Sequence, residues 1–389
     1  MKLEISTNSL LEALKSVSLP AGNPTTMIPK VLITAPPLQG GQAGSVFVSA
    51  TDPDLTLRSK VPARVDVAGR AAIPTRDLLC LVANLNTQSV IMWTDDKHNA
   101  HIAAGGSHYQ FCDPDPTYYP AFATQTGQTF TTQQADLKGM FSRTLFCAST
   151  DRSRYIINSV LLDFSPSDRI QEGTTVTAVG TDGRRLAKVE GTVPGNLTGP
   201  GTTTGITVPR RAALKIRAAL TASGQVTVQY DSTRATFEMA RKSSMLSITT
   251  ELLDGTYPNY KDVIPGKRPG VEGVPPYTPT TVTVNRRQLF RALQRVGRMS
   301  NQNYKSVTLD FSPAKLRMTS SGNAGSATEE LGINFTGIPF DIKINPDFIT
   351  SALKVLREDV VDLVVTNGTE PLVLQSTCPF LYVAMPMLR

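Results

Sequence analysis

The chain has 389 residues, 40% of them hydrophobic and 18% charged, with glycine and proline spread along it rather than massed in one tract. That is too long for one ordinary core and too apolar for disorder, so two or three globular domains are expected. A net charge of +7 admits a polyanionic partner without demanding one. Cys80, Cys112, Cys147 and Cys378 have no metal-ligand spacing and read as buried thiols of a reducing compartment, not as a disulfide framework. The start MKLEISTNSLLEAL carries Glu4 and Glu12 and no continuous apolar stretch, so no signal peptide is expected, and no run approaches a membrane span. The expectation is a soluble cytoplasmic protein.

In chain order, NSLLEALKSVS (8–18) has helical periodicity, with Leu10 and Leu14 on one face. VFVSA and LTLRSKV follow as strands, then TRDLLCLVANLN (75–86) as a helix opening at Pro74, then the strand SVIMW. QQADLKGMFSRTLFCAS (133–149), with Leu137 and Phe141, is the third helix, and VPRRAALKIRAAL (208–220), opening at Pro209, is the fourth. After the strand VTVQY comes NRRQLFRALQRVGRM (285–299), with Leu289 and Leu293, then the strands SVTLDF and KLRMTS. PDFITSALKVLR (346–357), opening at Pro346, is the sixth helix, before the strand VDLVV.

The first, third and fifth helices share a Leu-rich pattern, and the second, fourth and sixth open at a proline, favoured in a first turn. Helix, strands, helix, strands thus occurs three times, a repeat of about 130 residues that is domain-sized. GQTFTTQQ (127–134) and the Pro- and Gly-rich DGTYPNYKDVIPGKRPGVEGVPPYTP mark the joins. Three domains are predicted at 1–127, 128–255 and 256–389, each an α+β unit of two helices on antiparallel sheets.

Fifteen basic residues and four acidic ones fall within the helices, against 24 basic and 28 acidic elsewhere. The charge also keeps to one face. Arg287, Arg291, Arg295 and Arg298 oppose Leu289, Ala292, Leu293 and Val296, and Arg210, Arg211, Lys215 and Arg217 oppose Ala212, Ala213, Ile216, Ala219 and Leu220. Lys354 and Arg357 likewise oppose Phe348, Ala352, Val355 and Leu356. An ordinary solvated face mixes both signs; the fourth and fifth helices carry no acid, which favours a surface facing phosphate. No aromatics interleave, so duplex backbone fits better than splayed single strands. The predicted DNA-facing residues are Lys15, Arg76, Lys138, Arg143, Arg210, Arg211, Lys215, Arg217, Arg287, Arg291, Arg295, Lys354 and Arg357.

Catalytic alternatives find little footing. Asp52 and Asp54 in TDPD, Asp113 and Asp115 in CDPDP, and Asp182 in TDG sit beside Gly or Pro and read as Asx turns rather than converging metal ligands. His98, His101 and His108 share one predicted hairpin but lack partners at zinc spacing, and no Walker A, GxSxG or HExxH motif is present. No cofactor and no metal are expected. An open, monomeric, basic β-rich nucleic-acid-binding module is the alternative to the reading below.

Nine segments appear in a telling order: ATDPDLTLRSKV (50–61), AAIPTRDLL (71–79), DRSRYIINSVLLDF (151–164), AVGTDGRRLAKV (178–189), VPRRAALKI (208–216), LLDGTYPNYKDVIP (252–265), the stretch 285–311, INPDFITSALKVL (344–356) and the terminus YVAMPMLR (382–389). Over its whole length the chain resembles the bacterial DNA polymerase III β subunit, or sliding clamp. The resemblance implies a DNA clamp fold of three repeated domains, a head-to-tail homodimer and a six-domain ring with helices lining the hole. It implies a non-catalytic processivity factor acting on double-stranded DNA in the cytoplasm, at the nucleoid. Its partners would be the replicative polymerase, the clamp loader, and other clamp-motif proteins of repair synthesis, mismatch repair and ligation.

The resemblance further implies a pocket for short Gln- and Leu/Phe-containing partner motifs. Residue by residue, its wall would be Arg154, Tyr155, Ile157, Thr181, Gly183, Arg184, Arg185, Leu186, Pro258, Val263 and Phe348, closed by Val383, Met385, Pro386, Met387 and Leu388. A Met-Pro-Met-Leu end is apolar where termini are ordinarily polar, and methionine suits surfaces that accept several partners. The dimer seam would set Arg298 and Met299 against Tyr109 and Phe111 of the next subunit. Arg184 stands where the family usually has His, Asp262 where a basic residue often sits, and Arg298-Met299 where an apolar pair is usual.

Overall fold

The computed structural model describes residues 1–18, 30–37, 44–97, 99–112, 116–117, 119, 127–151, 153–168, 173–198, 204–265, 279–301 and 303–387. All six expected helices form among them: α1 (Thr7–Val17), α2 (Thr75–Ala83), α3 (Gln134–Thr144), α4 (Arg210–Ala219), α5 (Arg286–Arg298) and α6 (Pro346–Val355). Their ends answer to local hydrogen bonding that periodicity does not register. α3 stops at Thr144, short of 149, where the Cys147 N–H closes a turn on the Thr144 carbonyl. Of the three prolines expected in a first turn, only Pro346 lies there. Pro74 is the cap of α2, and Pro209 ends the strand Gly205–Pro209, positions that also need no N–H donor. Asn285 and Asn345 cap α5 and α6, accepting from the Gln288 and Asp347 N–H groups.

The chain divides into two compact units, Met1–Leu137 with Lys215–Leu252, and Lys138–Leu214 with Leu253–Arg389. In the first unit, a five-stranded antiparallel sheet runs in the order Arg64–Val67, Lys2–Ser6, Ser89–Thr94, Ala100–Ala104, Ser107–Phe111. An eight-stranded sheet joins Lys30–Ala35, Ser45–Thr51, Leu55–Pro62 and Gly69–Pro74 to Gln128–Gln133, Gln225–Tyr230, Arg234–Ala240 and Met245–Glu251. The join is the pairing of Met245–Glu251 with Leu55–Pro62, with Ile248 opposite Leu57. α1 buries Leu10, Ala13, Leu14 and Val17, and α2 buries Leu78 and Val82.

The second unit repeats the plan. A four-stranded sheet runs Gly325–Gly332, Lys315–Gly322, Val307–Ser312, Phe340–Ile344. Its eight-stranded sheet joins four strands of residues 159–209 to four of residues 280–384 through Arg185–Pro194 on Phe380–Ala384, with Leu186 opposite Val383. α5 and α6 pack together. α5 buries Leu289, Ala292, Leu293 and Val296 and leaves Arg287, Arg291, Arg295 and Arg298 exposed, which is the predicted division. Burying its two leucines contributes about 2 kcal/mol each. Residues 128–255 thus supply strands to both eight-stranded sheets.

The cysteines depart from expectation: Cys147 is buried and Cys378 half-buried, but Cys80 and Cys112 are exposed. Cys80 falls on the outward side of amphipathic α2, and Cys112 lies just past the last strand of its sheet. No helix of the described residues is long and apolar enough to cross a membrane.

Candidate functional site

The basic side chains fall into three kinds. Lys15 and Arg76 in the first unit, and Arg287, Arg291, Arg298, Lys354 and Arg357 in the second, are exposed. Arg291 has no ion-pair or hydrogen-bond partner among the described residues, and Arg287 meets Asp359 only at 3.9 Å with both largely in solvent. Lys138, Arg143, Arg210, Arg211 and Arg217 are half-exposed.

The remaining cations are committed within the chain. The Lys215 ammonium donates to the Ser18 carbonyl at the end of α1, at 2.7 Å. Burial, helped by nearby Arg241, holds it below the usual lysine range. Arg295 grips Glu329 with two hydrogen bonds of 2.6 Å, which lowers the Glu329 carboxyl below its ordinary range. Arg286, in the same helix but outside the expected set, donates to the Glu358 and Leu353 carbonyls and ties the start of α5 to the end of α6.

Among the edge strands of the four sheets are Ser107–Phe111 in the first unit and Gly325–Gly332 in the second. Tyr109 and Phe111 lie on the former, half-exposed. Met299 closes α5 and approaches Gly325 at the start of the latter. Arg295 reaches the same strand through Glu329.

The pocket residues come together in the second unit. Their floor is one apolar cluster of Val179, Leu186, Tyr257, Tyr260, Ile264, Val373 and Val383, flanked by Ile156. The one-turn helix Tyr155–Ile157 presents Tyr155, 56% exposed, at the rim, and turns Ile157 into the protein. Ile156 therefore packs against the floor in place of the expected Ile157, since residues one apart on a tight turn point about 120° from each other. The TDG turn is built by Asp182, whose carboxylate accepts the Arg184 and Arg185 N–H groups while Gly183 takes φ +85°. Thr181 bonds the Arg185 carbonyl and the Gly183 N–H. Arg154 reaches the Asp182 carbonyl at 3.5 Å. Arg184 is exposed, and its carbonyl accepts from the Met385 N–H at 2.9 Å, which sets the chain end beside the turn. The Met387 N–H donates to the Lys343 carbonyl.

Exposed Pro258, Val263 and Met385 and half-exposed Phe348, Pro386 and Met387 complete the surface, while Leu388 lies outside the described residues. Tyr257 donates to the Val179 carbonyl and Tyr260 to Asp163 Oδ2 at 2.7 Å; burial raises both phenols above their ordinary range. Sequence reading passed over these two tyrosines, although TYPNYKD places two aromatics three apart in an otherwise polar linker, a signal for an anchored turn. It also passed over Phe146 and Ser351, which no local pattern marks.

The described acidic residues of TDPD and TDG build turns. Asp52 Oδ1 accepts from the Asp54 and Leu55 N–H groups, an Asx turn as expected. Asp113, Asp115 and His98 lie outside the described residues. His101 bonds His108 at 3.1 Å and Asp95 at 3.0 Å. Among the described residues no group of three or more His, Cys, Asp or Glu has metal-holding geometry.

Helix pairs on continuous antiparallel sheets, with arginines on the outward side of α5, define a clamp of the DNA-sliding class. The family models for the DNA polymerase III beta subunit match the chain twice, the central domain at residues 131–259 and the C-terminal domain at 274–388. The beta sliding clamps of Chlamydia muridarum and Chlamydia trachomatis are 28% and 27% identical to it; the matches cover all of this chain and 99% and 87% of theirs. The crystal structure of the Bartonella birtlesii sliding clamp is 25% identical, with a TM-score of 0.85 and both chains fully covered. That of the Pseudomonas aeruginosa DNA polymerase III subunit beta, at 22%, shares the fold with a TM-score of 0.85 over both whole chains. With the two models together spanning more than half of its length, the chain belongs to the DNA polymerase III beta subunit family. Its function is that of a DNA sliding clamp, a non-catalytic processivity factor of replication.

Proposed function

We propose that two copies of this chain close head to tail into a ring around duplex DNA, each copy supplying three clamp domains at 1–127, 128–255 and 256–389. The carrying observation is the outward face of α5, where Arg287, Arg291 and Arg298 stand exposed with almost no acid to neutralise them. Such a face attracts phosphate without reading bases. Lys354 and Arg357 extend that surface within the second unit, and Lys15 and Arg76 of the first unit, with the half-exposed basic residues of α3 and α4, would meet the same duplex. Closure joins Ser107–Phe111 of one copy to Gly325–Gly332 of the next, because an unpaired edge strand offers a ready row of N–H and C=O groups. Tyr109, Phe111, Arg298 and Met299 flank that seam.

The surface around Leu186 and Val383 takes short apolar motifs of the replicative polymerase, the clamp loader and repair, mismatch-repair and ligation proteins. An apolar floor with an adaptable methionine rim suits several partners. We place the protein in the cytoplasm, at the nucleoid.

Retention on nicked circular plasmid tests encirclement. A ring stays on the circle at salt that strips it from linear DNA, whereas a protein held only by charge leaves both alike. Equal release, together with a monomer in sedimentation at micromolar concentration, refutes the ring and leaves an open basic module.

A further inference from the structure

Arg185 stands out among the expected pocket residues because its side chain is largely buried and bonded within the protein. Its side chain is 17% exposed, and all three guanidinium nitrogens are occupied. Nε donates to Asp182 Oδ2 at 2.9 Å, Nη1 to Ser351 Oγ at 3.1 Å and Nη2 to the Phe146 carbonyl at 3.1 Å. The guanidinium carbon lies 4.9 Å from the centre of the Phe348 ring. Its neighbour Arg184, in the turn before the strand begins, is exposed.

Phe348 and Ser351 are three apart on α6 and share a helical face. Arg185 therefore holds that face at two points, one by hydrogen bond and one by its cation over the Phe348 ring. A second strut supports the same wall: the Tyr382 hydroxyl donates to the Phe348 carbonyl at 2.8 Å, and Tyr382 stacks on Phe146. Of these two struts, only Arg185 ties the TDG turn itself to α6.

We propose that Arg185 is the positioning residue of the pocket, setting the Phe348 wall at the width a partner's apolar side chain fills without itself touching the partner. This rests on the pocket reading above. Lysine cannot substitute, because one ammonium cannot reach three acceptors spread around a plane and present a flat face to Phe348.

The test is a double-mutant cycle read by fluorescence anisotropy, with a fluorescein-labelled peptide carrying a glutamine and a Leu-Phe pair. The proteins are the full chain, Arg185→Met, Phe348→Ala and the double variant, with Arg185→Lys and Ser351→Ala alongside. Arg185→Met and Phe348→Ala are each expected to weaken binding about tenfold, and the double variant little more than either, because one residue acts through the other. Arg185→Lys should lose nearly as much as Arg185→Met. An unchanged Arg185→Met, or a double variant losing the roughly hundredfold product, overturns the proposal. Should Arg185→Met fail to fold, the same cycle with Ser351→Ala decides: its loss of affinity must vanish in the Phe348→Ala background, and persistence overturns the proposal. Absence of binding by the unaltered protein overturns the pocket reading and this one with it; binding with additive losses overturns this one alone.

Discussion

Lys215 and Arg291 look alike in sequence, each a cation on the polar side of a helix, yet the structure gives them opposite work. Replacing Lys215 by Met keeps most of the aliphatic stem and removes the ammonium that caps the end of α1 through the Ser18 carbonyl. A hydrogen bond from a charged donor contributes about 1.5–3 kcal/mol, and the favourable interaction with a helix C-terminus about 0.3–1 kcal/mol more. Burial, which already lowers the Lys215 pKa, takes part of that back. The expected net loss is about 1 kcal/mol, which for a cooperative unit of this size is a fall of about 2–4 °C in Tm. Because the ammonium is held within the protein, the salt dependence of DNA binding should not change. Arg291→Gln should do the reverse, leaving Tm within a degree and lowering the slope of log K against log salt by about 0.9 for each phosphate no longer neutralised. Scanning calorimetry and a salt titration on a short duplex read both quantities. Lys215→Met with an unchanged Tm and a reduced slope would falsify the assignment of Lys215 as a strut.

Three other variants probe the frame around these surfaces. Gly180→Ala would place its methyl 2.4 Å from the Thr144 carbonyl, against backbone that cannot yield; a loss of about 2 kcal/mol is expected in chemical denaturation, and an unchanged midpoint would contradict the packing described. Arg295→Gln removes both bonds to Glu329 on the edge strand; because exposed ion pairs contribute little, the proposed dimer should weaken no more than about fivefold in sedimentation, and an identical dissociation constant would separate Arg295 from the seam. Asp95 accepts bonds from the Asn99 side chain, His101 and the Asn99 and Lys97 N–H groups, which hold its carboxyl well below the ordinary range. A folded pKa below the unfolded one makes that stabilisation complete above about pH 5 and progressively lost as pH falls past about 4. The Tm gap between the protein and Asp95→Asn should therefore shrink on acidification, and a gap independent of pH would count against the carboxylate's role.

The helices were legible because amphipathic periodicity is local: Leu289, Ala292, Leu293 and Val296 are buried against an exposed arginine row as the spacing alone requires. Helix ends were not, since the turn that follows α3, closed by the Cys147 N–H on the Thr144 carbonyl, leaves no mark in the periodicity. Nor did repetition disclose how sheets are shared. A repeat of helix and strands says that like units exist, but the pairings of Met245–Glu251 with Leu55–Pro62 and of Arg185–Pro194 with Phe380–Ala384 join strands about 190 residues apart. Such long-range edges are chosen by complementarity between whole strands rather than by any motif.

For the site, charge was legible as a total and illegible as an assignment. Counting arginines on helices marked the surface, but whether a cation faces solvent or an internal acceptor depends on what other segments bring to it. Glu329 captures Arg295, the Ser18 carbonyl captures Lys215, and the Glu358 carbonyl captures Arg286, each from a distant part of the chain. Arg184 and Arg185 make the same point in adjacent positions. The TDG turn leaves the Arg184 guanidinium outside, while the strand that begins at Arg185 sets the other between Asp182, Ser351 and the Phe146 carbonyl. One short motif therefore contained both an exposed arginine and one bound inside the protein, and only the placement of α6 tells them apart.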